Sequence, residues 1–208
     1  MEDRHITLGS AADAHKWVTG SSLPQSTQAP LLRFIHRFPT LAFYRQDAVK
    51  LDALEETKGV TFPRWLREIR QTLAFVMPGY FVSVRFDECL NPYLDHLGNL
   101  WYTLGLRGYA NNEDRDLLES VGDIRPVPIG EEMDSGISTL AINLADTDDQ
   151  RVYEFTLEDL YDNRSDGKPL NKSIFEMFDS YAAMLGHVVA IKLEQSDSED
   201  AEVIEAQD

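Results

Sequence analysis

The apolar residues of this 208-residue chain change period at Pro78-Gly79, and that change is what most restricts the folds open to it. From Asp47 the pattern is helical, with Val49, Leu51 and Leu54 among charges and Gly59 as a stop. A second helix is predicted directly after it. Pro63 suits its first turn and Thr61 is a candidate cap. Trp65, Leu66, Ile69 and Leu73 form its apolar stripe, and Arg64, Arg67 and Arg70 fall on the wetter side. Beyond Pro78-Gly79 the period becomes two: Tyr80, Val82, Val84 and Phe86 alternate with Phe81, Ser83, Arg85 and Asp87, the signature of a strand.

Further along, a strand is expected over 100–106, and NNEDRDLLESVG reads as a short helix with acids in its first turn, where the macrodipole favours them. The stretch Ile124 to Ile129 contains Pro126 and Pro128 and is expected to be extended and edge-like, since each proline removes a ladder donor. Leu140, Ile142 and Leu144, then Tyr153 and Phe155, alternate on either side of ADTDDQ, which predicts a hairpin. A late helix is predicted over 172–185, capped by Asn171 or Ser173. Its buried face would be Ile174, Phe175, Phe178, Tyr181 and Leu185, with Gly186 as its stop, and VVAIKL then reads as a last strand. Helices first, strands in the middle and a helix late describe an α+β domain, not an alternating α/β sheet.

The domain expectation is one body over 31–193 with two extensions. Residues 1–30 are expected to be loose, with GSSLPQSTQAP as a linker, although Trp17 and Val18 are candidate anchors there. Residues 194–208 carry seven acids and no base, which predicts a disordered acidic tail. The net charge of −17 is not evenly spread: residues 31–78 carry +3, 127–193 carry −8 and 194–208 carry −7. So acidic a surface argues against direct nucleic-acid binding and favours a basic protein partner. Cys89 is the sole cysteine, so no intramolecular disulfide or CxxC metal pair exists, and a reducing, cytoplasmic setting is expected. The opening MEDRHITLGS is charged where a signal peptide is apolar, and no run approaches the ~20 apolar residues of a membrane span.

Three blocks in order resemble the SUKH superfamily, which contains a fungal cell-wall-synthesis regulator and many bacterial immunity proteins. The first is LDALEETKGVTFPRWLREIRQTL, Leu51 to Leu73, similar to the family's opening helix with its central Glu, Gly, hydrophobic-Pro pair and second helix. The second is IRPVPIGEEMDSGISTLAINL, Ile124 to Leu144, similar to its Pro-hydrophobic-Gly turn running through an acidic loop into a strand. The third is VYEF, Val152 to Phe155, with SIFEMFDSYAAML, Ser173 to Leu185, similar to its second hairpin strand and its late aromatic helix. The glycine-rich stretch before the hairpin is reduced to Gly130 and Gly136, and the resemblance does not explain Pro92 to Gly122. It implies an α+β, SUKH-like single domain, with helices on one face of a twisted, mostly antiparallel sheet. It also implies a binding module rather than a catalyst, commonly one that neutralises a nuclease-type toxin.

The candidate partner-binding residues are Glu131, Glu132 and Asp134 before one hairpin strand, Asp146, Asp148 and Asp149 in its turn, and Glu158, Asp162 and Asp166 after it, with Asp159 extending the same acidic region. The first two sets would lie at opposite ends of a strand, ~24 Å apart. Each residue singly reads as solvated loop chemistry; together they read as an acidic strip for a basic partner. DTDD lacks the alternating ligands, Gly and distal Glu of a calcium loop, the five histidines are scattered, and no GxSxG elbow is present, so no metal, cofactor or catalytic residue is assigned. The leading expectation is a non-enzymatic immunity protein that binds a basic toxin. A scaffold recruiting several partners through the domain and the tail, with Ser196 and Ser198 as phosphorylation sites, is the alternative, and a carboxylate-dependent hydrolase ranks below it.

Overall fold

A computed structural model describes residues 6–40, 42–74, 81–85, 99–104, 111–132, 138–184 and 186–187, with 58, 81–85, 99–104, 131 and 132 described by backbone alone. The chain is α+β, and its internal contacts divide it into two compact units that meet in sequence at Pro78-Gly79, where the apolar period changes. The expected domain 31–193 therefore spans parts of both units.

The first unit starts where a loose segment is expected. Strand β1 (Ile6–Gly9) pairs antiparallel with β2 (Phe43–Gln46). Helix α1 (Ala11–Thr19) opens on a capping box in which the Asp13 amide donates to Ser10 Oγ and the Ser10 amide donates back to the Asp13 carboxylate. Ala14 and Val18 are fully buried, so residues 6–30 are anchored rather than loose. Trp17, the other candidate anchor, is half-buried in its own unit. It packs so closely on Gly9 that a Cβ there would lie 2.6 Å from the indole, and the Arg45 guanidinium stacks over it at 5.0 Å.

The expected linker is also a correction, because Gln25 begins helix α2 (Gln25–Arg37). Its Pro30 lies in the second turn and is buried beside Leu31 and Ile35. A proline there leaves one carbonyl near the helix start without its bond, and the apolar face it completes outweighs the linker-like composition.

Helix α3 (Ala48–Lys58) is capped by Asp47, whose Oδ1 accepts from the Lys50 amide at 2.9 Å, and ends at Gly59 with φ +63. Helix α4 (Arg64–Thr72) has Pro63 rather than Thr61 at its cap and buries Leu66 and Ile69, with Leu73 buried just beyond its end. Glu55 joins the two helices: it accepts from the Phe62 amide and pairs with Arg67, which also reaches Asp52. Arg64 pairs with Glu68. Arg70, expected on the wet side, is buried instead and donates to Gln46 Oε1 at 2.8 Å. Its aliphatic stem lies with the core while the guanidinium finds polar partners.

The second unit is a six-stranded antiparallel meander, in spatial order β3 (Phe81–Arg85), β4 (Asn99–Leu104), β5 (Pro126–Glu132), β6 (Ser138–Asn143), β7 (Val152–Thr156) and β8 (Ile174–Phe178). Helix α5 (Asn112–Glu119) lies between β4 and β5 in the chain and α6 (Leu157–Ser165) between β7 and β8. The stretch expected to be an edge lies in β5, an internal strand, yet the proline argument holds locally. The described pairing with β4 begins only at Gly130, while the Arg125 carbonyl accepts from the Leu144 amide on the β6 side. Alternation then turns the nitrogens of Pro126 and Pro128 away from β6, where no donor is required.

Leu117, Leu118, Leu160, Ala141, Tyr153, Phe155 and Ile174 form one core, which places α5 and α6 over one face of the sheet. The residues of β6 and β7 on the opposite face, Leu140, Ile142 and Val152, are fully buried too. Ser138 and Glu154 share that face, and the Ser138 hydroxyl donates to the Glu154 carboxylate. The late helix predicted over 172–185 is a correction. Leu170–Ser173 form a 3-10 turn, β8 follows, and helical geometry starts only at Tyr181, with Gly186 inside a helical turn rather than after one. Ile174, Phe175 and Phe178 fit either period; pairing with the free side of β7 (Phe155 to Ile174, Glu154 to Phe175) decides for a strand. The closing VVAIKL, the segment 194–208 and Asp134 lie outside the described residues.

The hairpin turn is tied by Asp149, whose side chain is 2 % exposed. It accepts from Asn143 Nδ2 (3.0 Å), Tyr153 Oη (2.7 Å), Arg151 Nε (2.8 Å) and the Arg151 amide (3.0 Å). Burial alone would raise its pKa, but these bonds, Arg151 foremost, outweigh it and hold the carboxyl well below the usual range. Burial and the bond to Asp149 push the Tyr153 phenol up. We predict that Asp149→Ala lowers unfolding free energy by ~2–4 kcal/mol in urea titrations, because it strands buried donors. In the wild type this stabilisation is complete above the ordinary Asp pKa of ~4 and is lost as the pH falls below it toward the depressed value, which an acid titration of stability will reveal as a slope missing from Asp149→Ala.

Candidate partner-binding surface

The acids assigned from sequence separate into four situations. Asp149 is buried and committed to its own turn, so it leaves the partner-binding set. Asp146 and Asp148 are exposed in that turn, where Asp146 Oδ1 accepts from the Asp148 amide at 3.0 Å, an ordinary turn contact. Glu131 and Glu132 lie at the far end of β5, where Glu131 pairs with Thr139, so the sheet places them and the 146–149 turn at opposite ends of β6. Glu158, Asp162 and Asp166 lie on α6 or its C-cap and are exposed. Because β7 runs from the turn to α6, Glu158 belongs with the Glu131 end of the sheet and not with Asp146.

What brings exposed acids together in numbers is the pairing of α6 with α5. Each helix starts from a side-chain cap followed by acids. Asn111 Oδ1 accepts from the Asp114 amide at 2.8 Å, with Glu113 and Asp114 in the first turn of α5. Thr156 Oγ1 accepts from the Asp159 amide at 3.1 Å, with Glu158 and Asp159 in the first turn of α6. Negative charge at these positions complements the unbonded amides of the helix start.

The two helices are cross-linked at one point, where the Tyr161 hydroxyl donates to Asp114 Oδ1 at 2.7 Å. Asp114 also accepts from Asn111 Nδ2 and is buried. The bond to Asp114, with burial second, pushes the Tyr161 phenol up to about 12. Beneath it Leu117, Leu118 and Leu160 enter the core, and Leu157 and Tyr161 pack against it partly exposed.

The outer faces carry Glu113, Asp116 and Glu119 on α5, then Glu158, Asp159, Asp162 and Asp166 on α6 and its cap, all exposed. Cations neutralise some of them. Glu119 accepts from Arg115 and Arg125, Arg115 being the larger influence holding its carboxyl below the ordinary value, and Asp166 pairs with Lys168 at 2.7 Å. Glu113, Asp116, Glu158 and Asp162 have no cation at ion-pair distance among the described residues. Glu158 and Asp162 are one turn apart on the same stripe, and Glu113 and Asp116 are likewise neighbours on α5. Four carboxylates outside any ion pair among the described residues, on two helices fixed side by side, create a negative field in which a cationic surface gains and an anionic one loses.

Glu113 and Asp116 were not in the expected set, because nothing local announces that α5 and α6 are neighbours. Helix α6 itself had a readable signal, Thr156-x-x-Asp159, a capping box ahead of Leu160. The three arginines of α4 expected on its wetter side are engaged internally: Arg64 with Glu68, Arg67 with Asp52 and Glu55, and Arg70 with Gln46. Among the described residues no three His, Cys, Asp or Glu are grouped to hold a metal ion, and no helix is long and apolar enough to cross a membrane. Comparison of the chain with models of known protein families, with curated proteins and with solved structures finds no match.

Tyr161→Phe tests the cross-link. It is expected to cost ~1 kcal/mol in chemical denaturation. Because the phenol is raised in the folded state, the stabilisation is complete below the ordinary tyrosine value of ~10 and fades as the pH rises through about 12, a loss that the phenylalanine variant will not show.

Proposed function

We propose that this chain is a non-enzymatic protein-binding module, an immunity protein of the SUKH kind, which neutralises a basic, nuclease-type bacterial toxin by direct binding through the α5–α6 face. The observation that carries this reading is the set of four exposed acids with no cation at ion-pair distance among the described residues, Glu113, Asp116, Glu158 and Asp162, on two helices held together by Tyr161 and Asp114. A nuclease must attract phosphate and is therefore basic at its site, so an acidic face can occupy the same groove that a nucleic-acid backbone fills. The order of the blocks at Leu51 to Leu73, Ile124 to Leu144 and Val152 to Phe155 supports the family assignment. The stretch from Ser173 does not, since it forms β8 in place of the family's late helix. The α+β architecture with α5 and α6 on one face of an antiparallel sheet is compatible with the assignment.

Exposed charges in an interface rim chiefly set the association rate and the salt dependence, while their contributions to affinity are modest singly and accumulate as a set. We predict that reversing all four, Glu113→Lys, Asp116→Lys, Glu158→Lys and Asp162→Lys, weakens binding of a captured basic toxin by about 100-fold and flattens its salt dependence. The measurement is titration calorimetry with the purified toxin, alongside relief of its nuclease activity. Asp146→Lys with Asp148→Lys is expected to change neither. The opposite pattern moves the interface to the hairpin turn, and a retained toxin whose nuclease activity continues in the complex removes the neutralising role.

A further inference from the structure

Within a chain of net charge −17, residues 6–46 run against the trend: they contain Lys16, Arg33, Arg37 and Arg45 and a single acid, Asp13. Asp13 is occupied by the Ser10 cap of α1. None of the four cations has a carboxylate at ion-pair distance among the described residues; Arg45 stacks on Trp17 and Arg37 on Phe38, at 5.0 and 5.6 Å. Helix α2 has no acid in any of its 13 residues, and Arg33, His36 and Arg37 gather in its last two turns, with Arg33 and His36 exposed. Cations there suit the helix dipole, but that accounts for their place in the helix and leaves their charge uncompensated.

A second observation indicates what compensates it. The described chain ends at His187, and Gly186 lies against α2: a Cβ built on it would be 3.9 Å from the Pro30 side chain. Arg33 is one turn beyond Pro30 and Arg37 two, ~5 and ~10 Å along the helix. From His187 the first acid of the C-terminal segment, Glu194, is seven residues away, a reach of up to ~25 Å. The following residues add Asp197, Glu199, Asp200, Glu202, Glu205 and Asp208, with no base among them.

We propose that the acidic segment 194–208 docks in cis on the cationic end of α2, around Arg33, His36 and Arg37. The attachment point gives the segment an effective concentration in the millimolar range at that helix, whereas a separate anionic macromolecule has to approach against the net charge of the whole chain. Docking shields this basic region, so an acidic partner engages α2 only by displacing the segment. This inference is independent of the toxin-binding reading, which concerns the other unit.

The test is paramagnetic relaxation in the full chain, with a nitroxide on Ile204→Cys in a Cys89→Ser background. Broadening is expected to concentrate on the amides of Arg33 to Phe38. It is expected to fall about tenfold between ~0.05 and ~0.5 M salt, as the Debye length drops from ~14 to ~4 Å. Arg33→Glu with Arg37→Glu is expected to abolish it while the remaining amide shifts of the first unit stay in place. Should the double variant unfold, the salt series on the unreversed chain and the exposed Arg33→Glu alone give the same reading. Broadening that is absent at low salt, centred on other elements, indifferent to salt, or preserved after charge reversal overturns the proposal.

Discussion

Strand pairing in the second unit depends on two polar contacts at the ends of one hairpin. A strand with one wet and one dry face has its register set by hydrophobic alternation, because a slip of one residue exchanges the faces. Strand β6 is buried on both faces, so alternation discriminates little. Discrimination falls to Asn143 with Asp149 at the turn and to Ser138 with Glu154 at the other end. Any other register takes a buried carboxylate away from its donors and leaves a desolvated charge unpaired. The core under α5 and α6 rests on this pairing, since Ala141, Tyr153 and Phe155 enter it from the same two strands.

The acids of α5 and α6 illustrate how folding and recognition draw on the same charges. Those in the first turns stabilise the helix starts in isolation, and Asp114 then serves as the acceptor that ties α6 to α5. Where a basic residue is within reach, as Arg115 and Arg125 are for Glu119, the charge is neutralised internally. The carboxylates left over are those that neither capping nor pairing consumes, and their arrangement is set by the packing of leucines beneath them.

Much of this was legible in the sequence wherever the signal is local. Asp47 and Gly59 bracket α3 as read, and the alternation around ADTDDQ gave β6 and β7 with the pairing of Leu140, Ile142, Tyr153 and Phe155 in one hairpin. The opposed positions of the 131–132 and 146–149 acids also followed from strand length. Illegible were features decided by packing at a distance. Pro30 disguised a helix as a linker, and the Phe175 and Phe178 spacing fitted a helix until β7 offered an edge to pair with. Arg70 shares the spacing of Arg64 and Arg67 yet points into the protein. Asp149 was one acid among several in a turn, and only the side chains of Asn143, Arg151 and Tyr153 distinguish it from Asp146 and Asp148. For the candidate surface, α6 residues were found and α5 residues were not, because helix adjacency is not written in either helix.

The strand order of the second unit has a kinetic corollary. Each described strand neighbours the described strands next to it in the chain, so their pairing does not wait for a distant segment to arrive. The connections between β5 and β6 and between β6 and β7 are the shortest, and closing them costs the least chain entropy. A three-stranded nucleus over 126–156 can therefore assemble from local collisions and then accept β4 on one side and β8 on the other, each insertion finding a template already in place. A sheet built this way has a lower contact order than one whose neighbouring strands are distant in the chain, which favours faster folding.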